Sequence, residues 1–584
     1  MGSIRFPGGV AFRVWAPFAS QVFVAGTFNQ WDPASHPFAS EGNGYWSVDV
    51  PGVKSGDEYQ FVLHHDDQIL WHKNPYAAEV TNSSGNAVIH DPVFNWKGDT
   101  FAMPPWNELV IYEMHVGTFN RRPKKDRGDF KSILPKLPYL RDLGVNVIEI
   151  MPVMEFPLDD SWGYNPADPF SVESGLGGPQ GLYAFVKAAH AHGLAVILDV
   201  VYNHFGPGDL DLWRFDGWSD PGHNGGIYFF DNARAHTDWG DTRPDFGRGE
   251  VRQYIRDNAL FWLNKYRIDG LRFDSVSNIR QAGGQDLPEG WSLLQWINDE
   301  IRSTQPWKIT IAEDLQNNEW ITQDTESGGA GFGSQWDAAF VHPIRDAIIT
   351  ANDSDRNLYA VRDALTHAYG EDSTRRVVYT ESHDEVANGH ARVPEEIWPG
   401  NASSWYSRKR STLGAILAFT APGIPMIFQG QEFLEDGYFK DTDPLDWSKL
   451  KTFSGIHRLY ADLIRLRRNG FNNTGGLRGH CLNVHHVNNA DKVLAYHRWQ
   501  NGGAGDDVLV LTNFSSRSFG YYTVGFPRPG AWRVRFNSDA RAYGKDFGDF
   551  PGFDTVATDG SMDGMPCQAT LGIGPYSALI LSQD

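Results

Sequence analysis

At 584 residues, with 51 Lys and Arg against 72 Asp and Glu and a formal net charge of -21, the chain exceeds one ordinary domain and repels phosphate backbones and anionic lipid. No nucleic acid and no membrane is therefore expected as a partner, and a neutral or cationic ligand fits better. The aromatic share of 14%, with 21 Trp and 22 Tyr, is more than core packing alone usually requires, and such rings stack on the apolar faces of sugars.

The chain starts MGSIRFPGG, without a basic and then apolar leader, and has no apolar run long enough to span a bilayer, so a cytoplasmic protein is expected. Residues 1–104 read as short alternating strands broken by Asn, Gly and Pro turns, among them Val22–Ala25 and Tyr45–Val50. That pattern predicts a small β-sandwich ending at Pro104-Pro105.

From 105 to 475, apolar strand-like runs alternate with helical patterns. Eight runs qualify: 109–112, 145–150, 195–199, 270–273, 309–312, 336–340, 377–380 and 424–428. The predicted fold class is α/β, a (β/α)8 TIM barrel flanked by an N-terminal and a C-terminal β-sandwich. The long connection 205–245, rich in Gly, Asp and aromatics, is expected to wall the substrate cleft. A helix over 456–468 closes the barrel, and residues 476–584 turn β again at 493–499, 507–511 and 578–581. The two cysteines, Cys481 and Cys567, have no metal-like spacing, so no disulfide framework is expected, with a single bridge between them left open.

In a parallel barrel the chemistry sits where strands end, and four of these strands run into acids. They end on Asp199 with Asn203 and His204 close behind, on Arg272 and Asp274, on Glu313, and on His383 and Asp384. Singly, each acid could be a helix cap or half of a buried ion pair. Together, carboxylates converging on one rim are what glycoside chemistry needs: one to attack the anomeric carbon, one to protonate the leaving oxygen.

The segments DVVYNH (199–204), GLRFDSV (270–276), AED (312–314) and SHDE (382–385) resemble, in order and strand context, the four signature regions of the alpha-amylase family, glycoside hydrolase family 13. That resemblance implies Asp274 as nucleophile, Glu313 as general acid/base and Asp384 as the third carboxylate. It implies Arg272 as the group that orients and ionises Asp274. Asp199 and Asn203 would line the substrate site, His204 and His383 would hydrogen-bond a sugar, and Tyr164 of SWGYNP (161–166) would stack beneath it. By physical argument, a carboxylate beside Arg272 stays ionised, whereas Glu313 needs a pKa raised by burial or neighbouring acids.

The flanks VWAPFASQVFVAGTFNQWD (14–32) and 513–544 are similar to glucan branching enzymes, with Trp31 and Trp46 as candidates for a glucan surface site. The segments YEMHVGTF (112–119) and MPVMEFP (151–157) are closer to maltooligosyltrehalose trehalohydrolase, and SVSNIR after Asp274 lacks the Met-Leu-Tyr usual in branching enzymes. Cleavage of α-1,4-glucosidic bonds is therefore expected, with 1,4-α-glucan branching first, a malto-oligosaccharide-forming amylase second and trehalose release third. A non-catalytic glucan-binding barrel is disfavoured, since the acids are all in place. No metal and no cofactor is implied: no segment spells a spaced Asp loop for calcium.

Overall fold

The computed structural model describes residues 1–121, 127–221 and 225–584. Eight parallel strands close into a barrel: Ile111–Met114, Val147–Ile150, Ala195–Val200, Gly270–Phe273, Ile309–Ala312, Ser334–Trp336, Arg376–Val378 and Ile424–Phe428. Closure is made by the last strand pairing with the first, Ile427 opposite Tyr112. Strands covered on both faces read as continuous apolar runs, and Val147–Ile150 and Ile424–Phe428 are buried throughout.

The two faces still separate by the two-residue strand period. Leu109, Ile111, Val147, Ala195, Ile197, Ile309 and Ile311 pack together as one cluster, while Val110, Tyr112, Ile148, Val196 and Leu198 join the cluster beneath the helices. The first of these series continues upward to Glu113, Glu149 and Asp199, and Asp199 stands opposite Arg272 in the pairing register. One inward-facing column therefore changes from aliphatic to charged as it nears the carboxyl ends of the strands.

The expected strand over 336–340 needs correction. The strand ends at Trp336, and Asp337 caps a helix over Ala338–Ile349, its carboxylate accepting the Ala339 N–H at 3.0 Å. The apolar residues after it, Phe340, Val341 and Ile344, form the buried side of that helix, and so short a run does not distinguish the two periods. The first strand also begins two residues later than its apolar run.

Before the barrel stand two antiparallel sheets, one of Gly2–Phe6, Gly9–Trp15, Tyr45–Pro51 and Ala39–Gly42, the other built on Gln21–Gly26 and Glu58–His65. After it comes an eight-stranded all-β unit between Cys481 and Ser582, in which Cys481 and Cys567 are free thiols. The N-terminal sheets are stapled to the barrel. Lys73, only 2% exposed, places its ammonium 3.3 Å from Asp168 and 3.5 Å from Asp211. Phe18 stacks on Trp218 at 4.6 Å and gives its N–H to Asp216. Asp211, Asp216 and Trp218 belong to the 205–245 connection, of which 222–224 lie outside the described residues. Buried Arg243 orders the same connection by donating to the carbonyls of Arg234, His236 and Gln281. At the other end, the buried pair Lys409–Asp539, 2.7 Å apart, ties the barrel to the C-terminal unit. Among the described residues no helix is long and apolar enough to cross a membrane.

Candidate active site

Arg272 is wholly buried, and its position follows from register: it is the inward residue of the fourth strand, beside Asp199 of the third. Its Nη1 donates to Asp199 at 2.8 Å and to Asp274 at 3.0 Å, and its Nη2 lies 3.6 Å from Glu313. The indole of Trp336 covers the guanidinium at 4.3 Å. Burial works against a charge here, but Asp199 and its neighbours outweigh it and hold the Arg272 pKa well above the ordinary arginine value. One fixed cation thus serves three carboxylates.

Asp274 is held on its other oxygen by Asn203, whose Nδ2 donates to Oδ2 at 2.6 Å. Immediately afterwards the chain turns sharply, with Ser275 in the left-handed region at φ 40°, and enters the short helix Val276–Arg280. A non-glycine residue there costs of the order of 1 kcal/mol and persists where its surroundings fix it. They do: the Ser275 N–H donates to the Glu313 carboxylate at 2.5 Å, and the Val276 N–H to the Glu313 carbonyl at 2.7 Å. The strained turn links the residue after one acid to the side chain of the other.

Glu313 has a pKa raised to about 8, by burial first and then by the charges of Asp274 and Asp384, with Arg272 pulling the other way. Its side chain remains 12% exposed, so the group is shielded yet reachable. Asp384 is more open, 40% exposed at the side chain, and lies 3.3 Å from His383 Nε2. The far nitrogen of His383, Nδ1, meets Glu113 at 2.5 Å. Burial lowers the His383 pKa, but Asp384 and Glu113 overcome it and raise the value to about 9, so the ring is a cation at neutral pH with a donor on each nitrogen.

Tyr164 gives its hydroxyl to Asp199 at 2.5 Å and stacks on His383, ring centres 5.0 Å apart. Burial raises Asp199 to about 7 despite Arg272. His204 donates from Nε2 to the Tyr164 carbonyl at 2.8 Å, and burial lowers its pKa, favouring the neutral ring. The exposed indole of Trp239, from the long connection, stacks on His204 at 4.7 Å.

The structure therefore gathers Tyr164, Asp199, Asn203, His204, Arg272, Asp274, Glu313, His383 and Asp384 into one network. Trp31 and Trp46 lie outside it, on the N-terminal module. Trp46 belongs to one sheet and gives its indole N–H to the Ala16 carbonyl at 3.0 Å, whereas Trp31 follows a turn of the other sheet at φ 62°. Four members of the site were not read from the sequence: Glu113, Glu149, Trp336 and Trp239. The two glutamates did carry a signal, being acids in the middle of the apolar strands IYEM and VIEI. Burial, followed by Glu113, raises Glu149 well above the carboxylate range, which favours its neutral form beneath the charged layer. Among the described residues no group of three His, Cys, Asp or Glu side chains could hold a metal ion.

A closed parallel barrel whose strand ends bring acids and one arginine together belongs to the class of enzymes built for glycosidic bonds. The chain belongs to the alpha-amylase family: the alpha-amylase catalytic domain matches residues 110–212 and 237–464, and the all-beta C-terminal domain of alpha amylases matches 484–584. Residues 1–77 match carbohydrate-binding module 48, the isoamylase N-terminal domain. Curated relatives include the 1,4-alpha-glucan branching enzyme of Pseudoalteromonas atlantica, 31% identical over 91% of this chain and 76% of the relative. That of Rhodopseudomonas palustris is 30% identical over 99% of this chain and 82% of its own. Among solved structures, a putative alpha amylase from Salmonella typhimurium superposes with a TM-score of 0.75 at 22% identity, covering 100% of this chain and 99% of that one. A pullulanase from Anoxybacillus sp. LM18-11 does so with a TM-score of 0.75 at 20% identity, over 100% and 87%. At these identities the superpositions speak for the fold.

Proposed function

We propose that the protein cleaves α-1,4-glucosidic bonds of starch, glycogen or malto-oligosaccharides with retention and passes the glucan to a 6-hydroxyl, as a 1,4-α-glucan branching enzyme. The observation that carries the cleavage is the unequal treatment of two acids around one arginine, and the likeness to 1,4-alpha-glucan branching enzymes supports the transfer. Asp274 is clamped by Arg272 and Asn203, while Glu313 is held in its acid form. In the first step an Asp274 oxygen forms a bond to the anomeric carbon while Glu313 gives its proton to the departing glycosidic oxygen. In the second, the Glu313 carboxylate takes the proton of an acceptor hydroxyl, whose oxygen replaces Asp274 at that carbon. Asp384 and the His383 cation would grip hydroxyls of the sugar being distorted, and Tyr164 would stack against it. In this reading the chain divides into 1–104, 105–475 and 476–584, with glucan binding at Trp31 and Trp46 a separate trait of the first unit. Two free thiols fit a reducing, cytoplasmic setting.

The branching reading is tested on amylose by proton NMR. New α-1,6 anomeric signals are expected to grow faster than reducing ends. Reducing ends rising without those signals would replace branching by hydrolysis, the alternative favoured by SVSNIR after Asp274.

The state of Glu313 gives a second expectation. Its pKa stands above the ordinary carboxylate value, so the proton is present below about pH 8 and lost above it. An acid catalyst fails when that proton leaves, so kcat/KM is expected to fall about tenfold per pH unit on the alkaline side. A profile that stays level to about pH 10 would remove Glu313 from the role of acid.

A further inference from the structure

A groove of about 400 Å³ opens between the segments that follow Asp274 and Glu313 in the chain, lined among others by Arg280, Trp291, Gln295, Asn318 and Trp320. Its volume is within the range of about 300–1,000 Å³ in which small-ligand sites fall. We propose that it is a second α-glucan site, holding the acceptor chain that approaches the reaction centre. This rests on the transfer reading above.

Three features point to a glucan. First, the aromatic surface is available and fixed. Trp320 is 47% exposed at the start of a short turn, with its N–H on the Asn318 side chain at 3.1 Å and its carbonyl accepting the Ala330 N–H at 2.8 Å. The half-buried indole of Trp291 packs against the core and spends its N–H on the Gly328 carbonyl at 3.1 Å, which orients the ring and leaves its open side for stacking. Second, the polar lining carries no net charge, since Arg280 is matched by Asp286 and the rest is the hydroxyl of Ser292 and the amides of Gln295 and Asn318. Gln295 uses its Nε2 on the Gly329 carbonyl at 2.8 Å and so retains an oxygen that can accept from a sugar hydroxyl. A chain of net charge -21 with such a lining offers little to a polyanion.

Third, the lining is tied to the candidate active site through Arg280. The helix Val276–Arg280 begins two residues after Asp274 and rises about 6 Å from Val276 to Arg280. Arg280, buried, then grips Asp314, the neighbour of Glu313, through Nε at 2.7 Å and Nη2 at 3.0 Å. The groove is thus built from the segments that follow the two acids. A glucan lying on Trp291 and Trp320 would extend toward the side of Glu313, where an acceptor hydroxyl must lose its proton.

The test uses the full chain with Asp274→Asn to stop turnover, and measures malto-oligosaccharide affinity by titration calorimetry. Trp320→Ala is expected to weaken maltoheptaose binding about tenfold, a loss of about 1.4 kcal/mol, and Trp320→Phe to restore most of it. Maltotriose, which the candidate active site alone can take up, is expected to keep its affinity. Equal maltoheptaose affinity with and without Trp320 would overturn the groove, as would an equal loss for maltotriose and maltoheptaose. If the parent enzyme makes no α-1,6 links while Trp320→Ala still loses the longer ligand selectively, the transfer reading fails and the second glucan site stands.

Discussion

Asp274→Asn is expected to lower kcat by roughly 1,000- to 100,000-fold, about 4–7 kcal/mol of barrier, while the far-ultraviolet circular dichroism spectrum stays that of the parent. An amide cannot form the glucosyl ester, so the residual rate would come from positioning and from the acid alone. The substitution also disturbs its neighbours in a defined way. Both carboxylate oxygens accept, one from Arg272 at 3.0 Å and one from Asn203 at 2.6 Å. Either orientation of an amide sets its NH2 against one of those donors, which costs about 1–3 kcal/mol. A modest fall in the thermal midpoint is therefore expected beside the catalytic loss. Single-turnover assays on maltoheptaose decide the matter: activity within tenfold of the parent would displace Asp274 from the role of nucleophile.

Arg272→Met is expected to cost about 3–5 kcal/mol of stability and to abolish turnover, because it leaves Asp199, Asp274 and Glu313 in a closed site without their common cation. Arg272→Lys is expected to do better without matching the parent, since an ammonium supplies the charge but not the planar fork that meets carboxylates on two nitrogens. The pH dependence has a definite sign. Asp199 and Glu313 already stand at about 7 and about 8, above ordinary carboxylates, and Arg272 is what holds both down. Without it they bind protons more tightly in the folded state, while the unfolded chain releases them. Stability is then lost as pH rises, and the deficit of Arg272→Met is expected to widen between about pH 6 and pH 9. Urea unfolding followed by tryptophan fluorescence measures it. A Met variant as stable as the parent at both values would mean that the three carboxylates need no shared cation.

Much of this architecture was readable from the residues. A strand of a parallel barrel is covered on both sides, so its sequence is a short apolar run, and a polar cluster after the run marks the rim; Asp199, Asp274, Glu313 and Asp384 all stand there. Glu113 was not singled out because its partner His383 lies 270 residues away and is brought to it by barrel closure, which no local pattern announces. Trp336 reads as the start of a longer strand, since a buried strand and the apolar side of the helix that Asp337 caps look alike over five residues. Trp239 sits in a connection whose path is set by Arg243 and by the N-terminal module, contacts of long range. The groove at Trp291 and Trp320 joins a helix start to a loop about thirty residues later, and neither segment announces a ligand by itself.

The Lys73 ammonium bears on how such a protein can be recombined. Asp168, even beside that cation, is raised to about 8 by burial, and Asp211 shares the same ammonium. A graft of this barrel onto a different carbohydrate module would strand both acids at the seam between barrel and module unless the donor brought a lysine to the same point. The module and the 205–245 connection are therefore best moved as one block, and a chimaera is better cut on the far side of that connection's contacts than at the seam between the sheets and the barrel.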